Sequence, residues 1–100
     1  GHFASLFPGS NPFEEAMSLS NPNTCIAIDA TGCPVAGENT ERMSLTLSAI
    51  LDAELVMILI TGKEKLEILR SAENENNPSE KPIAALLNQN NTPVEIYWAE

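Results

Sequence analysis

Glu54-Leu55-Val56-Met57-Ile58-Leu59-Ile60-Thr61-Gly62-Lys63-Glu64-Lys65 contains the longest apolar run of the chain, Leu55 to Ile60, closed by Thr61-Gly62 and followed at once by charge. Six residues fall far short of the ~18 that a membrane span requires. In an extended chain they send apolar side chains to both faces, as in a buried strand of a parallel sheet covered by helices. Gly62 ends the strand. From Lys63 to Ala72, Leu66, Ile68 and Leu69 then share one helical stripe, with Lys63, Glu64, Glu67 and Arg70 left for the wet side. A two-faced strand that turns directly into an amphipathic helix is the repeating unit of α/β folds.

The flanking segments extend this unit. Thr24 to Ala30 alternates and is β-favourable, and Thr31-Gly32-Cys33-Pro34 breaks it. Glu41 to Thr46 alternates Met43 and Leu45 with polar residues, and Leu47 to Ala53 suits a short helix. After the polar loop Glu73 to Glu80, Pro82 to Leu87 begins another short helix and Val94 to Trp98 a last strand. Residues 1–23 are rich in Pro, Gly, Ser and Asn, with Pro8-Gly9-Ser10-Asn11-Pro12 as a strong breaker, and read as irregular. The expected architecture is an α/β, Rossmann-like sheet flanked by helices. Its strands are too few for a complete doubly wound fold, so the chain reads as half of one.

A chain of 100 residues forms one small domain, burying roughly 65% of its unfolded surface. Five Lys+Arg against fourteen Asp+Glu leave a net charge of −9, which repels nucleic acid and anionic membranes. With 43% hydrophobic residues the chain is nonetheless a folding sequence and not an acidic tail. No secretory signal pattern opens it, so a cytoplasmic location is expected. Two cysteines and a single histidine make neither a zinc site nor a disulfide framework. Cys25 and Cys33 are expected as reduced thiols in or near the core.

Three residues could carry chemistry. His2 is the only side chain with an unperturbed pKa near neutrality, and small residues around it leave room for a ligand. A Gly-His pair at a terminus is equally read as a frayed end or a remnant of tag removal. Lys65 lies in the first turn of the helix after Thr61-Gly62, where free amides, the helix dipole and a full positive charge suit a phosphate. Arg42 is the only cation in the middle of the chain. Both cations could equally do no more than balance neighbouring carboxylates.

Gly1-His2-Phe3-Ala4-Ser5-Leu6-Phe7-Pro8-Gly9 resembles the Asp-Gly-His-Thr-Ala-Ser-Leu-Phe-Pro-Gly signature of the 6-phosphogluconolactonases. Downstream, Glu41 to Leu47 followed by Ala49, Val56 to Gly62 with Lys65, Pro82 to Ala85 and the closing Tyr97-Trp98 follow that family's order. The strand with Thr-Gly-x-x-Lys is shared with the glucosamine-6-phosphate deaminases. The resemblance implies hydrolysis of 6-phospho-D-glucono-1,5-lactone to 6-phosphogluconate in the oxidative pentose phosphate pathway, with no cofactor and no metal. It casts His2 as the catalytic base that activates water, and Lys65 and Arg42 as residues near the substrate phosphate. Phe3 stands where the family has Thr. Family members are longer, so the resemblance makes residues 1–100 the carboxyl-terminal portion of such a domain. Two alternatives stand beside it: a related sugar-phosphate isomerase or deaminase, or an inactive folding or assembly module that pairs with a separately encoded amino-terminal half or persists as a degenerate remnant, its open sheet edge leading it to self-associate or to bind that half.

Overall fold

A computed structural model describes every residue from Gly1 to Glu100. Its elements are α1 (Phe13–Ala16), β1 (Cys25–Asp29), a 3-10 turn at Pro34–Ala36, β2 (Glu41–Leu45), α2 (Leu47–Leu51), β3 (Val56–Thr61), α3 (Lys63–Glu75), α4 (Ala84–Leu87) and β4 (Val94–Ala99). The architecture is mixed α/β, as the sequence leads one to expect. The strands form two separate two-stranded sheets and not one: β1 pairs antiparallel with β2, and β3 pairs parallel with β4. Adjacent parallel strands need a long crossover, and α3, the following loop and α4 supply it.

Side-chain chemistry sets the element ends. Gly62 lies at φ 86°, a conformation that costs a residue with a Cβ, and this permits β3 to turn straight into α3. Trp98 Nε1 donates to the Gly62 carbonyl at 2.7 Å, and the Gly62 amide donates to Ala99 O at 2.9 Å, so the end of β4 clamps this turn. The polar stretch after Ala72 extends α3 to Glu75 and is not all loop; Asn76, left-handed at φ 48°, stops it by donating to Ala72 O. Thr46 is a cap and not a strand residue: its hydroxyl accepts from Ala49 N at 3.2 Å and donates to Asn23 O at 2.7 Å.

Two apolar clusters make the core. One gathers Leu6, Phe7, Ala16, Ile28, Ala30, Cys33 and Ala36; the other gathers Leu47, Leu69, Ala72, Ile83, Ala84 and Leu86. Phe3, Met17 and Ile50 pack against both and join them. The breaker-rich opening segment is thus a core component, because Leu6 and Phe7 bury their side chains and α1 contributes Ala16.

Two expectations need correction. Only one face of β3 is covered: Val56, Ile58 and Ile60 pack on the second cluster, whereas Met57 and Leu59 are 58% and 75% exposed. The helices of this chain cover one side of the strand and nothing in it covers the other. Cys33 is buried as expected, but Cys25 is exposed because it begins β1 on that sheet's outer side; both thiols are free. Tyr97 of β4 lies on the same uncovered side, at 53% exposure. No helix is long and apolar enough to cross a membrane.

Thr46 has no exposed surface and its hydroxyl serves two backbone groups. Thr46→Val is expected to lower unfolding free energy by about 2 kcal/mol, with Thr46→Ser recovering most of it in urea denaturation.

Candidate active site

The site is built on the opening loop. Gly1 O accepts from Ile83 N at 2.9 Å, tying the first residue to the start of α4. Leu6 N donates to Phe3 O at 3.1 Å, and Ser5 N donates to the Ser44 hydroxyl of β2 at 3.2 Å. Between these ties His2 lies against Phe7, with ring centroids 4.6 Å apart at 39°. Phe7 is itself 3% exposed and therefore a fixed backing for the imidazole. His2 itself is exposed, and its ring rests on Phe7.

His2 and Lys65 line the same cavity, of about 280 Å³, together with Phe3, Ile58, Ile60 and Ile83 among others. That volume lies near the lower end of small-molecule sites. Lys65 is exposed and forms no ion pair; the single ion pair of the chain joins Lys81 to Glu75 at 3.1 Å. The amides of Lys63, Glu64 and Lys65, at the amino end of α3, have no hydrogen-bond partner. Lys65, whose ammonium is free of carboxylates, and His2 thus share a mostly apolar cavity.

Arg42 is placed differently. Its Nε donates to Asn39 O at 2.6 Å and its Nη2 to Ala36 O at 2.9 Å, so the guanidinium braces the loop before β2. It also sits 5.4 Å from the Phe7 ring centre, a cation–π distance. Arg42 does not line the cavity of His2 and Lys65 but a larger, more open hollow of about 720 Å³ beside Asp29 and Thr31. It still acts on His2 through charge. Burial first, and with it the nearby Arg42, push the imidazole below its ordinary pKa. The neutral form of the ring is favoured.

Phe7 carries no signal in the sequence that marks it as a site residue; an aromatic five places from a histidine is indistinguishable from ordinary core. Its role comes from packing, where it touches both His2 and Arg42. No three His, Cys, Asp or Glu side chains converge as a metal-binding group.

A model of the family described as glucosamine-6-phosphate isomerases/6-phosphogluconolactonase matches residues 1–98. The chain belongs to this family. It is 39% identical over 99 residues to the 6-phosphogluconolactonase of Rhizobium meliloti (strain 1021), covering 99% of this chain and 40% of that protein. To the 6-phosphogluconolactonase of Caulobacter vibrioides it is 34% identical over 100 residues, again with 40% of the relative covered. A crystal structure of a 6-phosphogluconolactonase from Shewanella baltica OS155 superposes with a TM-score of 0.87 at 32% identity, covering 100% of this chain and 40% of that one. The α/β architecture is therefore that of a solved family member. The chain spans about 40% of the length of the curated relatives it matches.

Two measurements probe the loop. With one histidine in the chain, its proton resonances titrate alone in NMR; the midpoint is expected below about 6.5, and Arg42→Gln is expected to move it upward. The sign for stability follows: a lowered folded pKa favours the neutral ring, so stability is lost as pH falls through that pKa. Phe3→Thr, which restores the residue typical of the resembled signature, is expected to cost about 2 kcal/mol, because Phe3 is half-buried against both clusters. Chemical denaturation checks the loss.

Proposed function

We propose that this chain is the carboxyl-terminal portion of a 6-phosphogluconolactonase, forming a single part of that domain, and that it contributes to hydrolysis of 6-phospho-D-glucono-1,5-lactone. The observation that carries the reading is the shared cavity of His2 and Lys65, in a chain whose family match takes in both residues. His2 is the base: the neutral imidazole takes a proton from water as the oxygen attacks the lactone carbonyl. As the carbonyl–ring-oxygen bond breaks, the imidazolium returns the proton to the departing oxygen, giving 6-phosphogluconate. Lys65 and the free amides at the start of α3 hold the phosphate, so the ring is positioned rather than captured by chance. Arg42 contributes positive charge from behind Phe7 while bracing its loop. A strained ester needs little more than an oriented base, and no metal or cofactor enters the proposed chemistry.

The substrate is accordingly a phosphorylated sugar lactone, and the pathway the oxidative pentose phosphate route. A cytoplasmic setting is part of the proposal, supported by the two free thiols, Cys25 and Cys33. The limited span relative to the relatives favours a second reading, that the isolated chain is catalytically incomplete and acts as an assembly module.

The test places this chain in the matched 99 residues of the Rhizobium meliloti relative. The chimera is expected to hydrolyse freshly made lactone well above the spontaneous rate. His2→Ala is expected to lower kcat by about 10²–10⁴-fold, and Lys65→Ala to act mainly on KM. Undiminished turnover by the His2→Ala chimera would remove His2 from the mechanism. Ammonia release from glucosamine 6-phosphate in place of lactone hydrolysis would assign the chain to the deaminase branch.

A further inference from the structure

We propose that Trp98 is a positioning residue for Lys65: its indole N–H, bonded to the Gly62 carbonyl, fixes the first turn of α3 and with it the place of Lys65 in the cavity shared with His2. That turn is weak by its own local chemistry. Gly62, the residue that caps it, offers no side-chain oxygen to the end amides. Lys63 and Lys65 put two positive charges at the helix end where the dipole favours anions, with Glu64 alone to offset them. The first helical bond, from Leu66 N to Gly62 O, is long at 3.4 Å. Local conflicts of this kind collect at functional positions, where something else in the fold must compensate.

Trp98 supplies the compensation. Its Nε1 donates to the same Gly62 oxygen at 2.7 Å, closer than the helix's own amide, from 36 residues along the chain. The Gly62 amide donates to Ala99 O at 2.9 Å, so β4 holds this glycine by its carbonyl and by its amide. The indole is a donor with no acceptor, which leaves its N–H one role on this carbonyl. The parallel register sets Trp98 beside Ile60, on the face of β3 that packs against the second cluster, and Ile60 lines the cavity of His2 and Lys65. Trp98 and Lys65 also line one hollow of about 310 Å³ at the carboxyl ends of the two strands. The effect on turnover rests on the lactonase reading; the hold on the turn does not.

Two variants separate the donor from the ring. Trp98→Phe keeps an aromatic side chain and removes the N–H, and 3-benzothienylalanine at position 98 keeps the bicyclic shape with sulfur in place of the N–H. In the 100-residue chain, both are expected to speed hydrogen exchange at the Leu66 amide roughly tenfold and to leave the Asn76 amide, at the far end of α3, unchanged. In the Rhizobium meliloti chimera, both are expected to raise KM for the lactone roughly threefold to tenfold, with kcat within about twofold of the parent. Tyr97→Phe, on the opposite face of β4, is expected to change neither constant. Unchanged Leu66 exchange in both variants overturns the proposal, as does an unchanged KM or a loss confined to kcat in the benzothienyl chimera. A parent chimera that does not hydrolyse lactone removes the lactonase reading, and Leu66 exchange then decides the hold on the turn by itself.

Discussion

Burial of Leu6 and Phe7 converts a segment of prolines, glycines and small polar residues into a fixed wall of the cavity. Neither side chain exceeds 3% exposure, and each abandons water for one of the two apolar clusters. Once they are seated, the loop that carries them has little freedom. Ser10 Oγ bonds Phe7 O at 2.6 Å, Ser5 N reaches Ser44, and Gly1 O receives the Ile83 amide. Ala4 is held at φ 50°, a left-handed conformation that disfavours residues with a Cβ. Such a turn persists only where its surroundings over-determine it. His2 inherits its position from this seating, and through Phe7 it is coupled to Arg42.

The same packing explains what was and was not legible in the sequence. β3 and the entry to α3 were readable because one-dimensional pattern decides them: six apolar residues, a glycine, then a charged amphipathic stretch. The order of elements after Thr24 was readable for the same reason. The partition into two small sheets was not, since strand pairing is set by contacts distant in sequence. Nor was the covering of only one β3 face, because an interior strand has the same composition whether or not its neighbours are present. Among the candidate site residues, His2 and Lys65 share a cavity, but the assignment of Arg42's donors to Ala36 and Asn39 depends on a loop whose shape no spacing reveals. Phe7 was invisible as a site residue because a core aromatic and a histidine's backing are the same residue type.

Electrostatics distinguishes the two central cations more sharply than charge count does. A chain of net charge −9 offers many carboxylates to a lysine, yet Lys65 takes none of them. Unpaired next to three free amides, it keeps its positive potential available in the cavity mouth. Arg42 has spent two donors on backbone carbonyls and acts at one remove, its field reaching the imidazole past a low-polarity ring. One cation is thus free of carboxylate partners, and the other is tied to two backbone carbonyls.

Assembly and chemistry meet on β3. Ile58 and Ile60 line the cavity from the covered side, while Met57 and Leu59 of the same strand are bare on the other. Backbone pairing on one edge alone leaves a strand free to twist and shift, and a two-stranded sheet by itself is marginal in water. Any displacement of β3 carries Thr61 and Gly62 with it, and so moves Lys65 relative to His2, which is anchored separately through Ile83 and Phe7. In the proposed reaction, a base and a phosphate seat that belong to different anchors need a rigid strand between them to hold a near-attack geometry, for which misplacements of about 1 Å are costly.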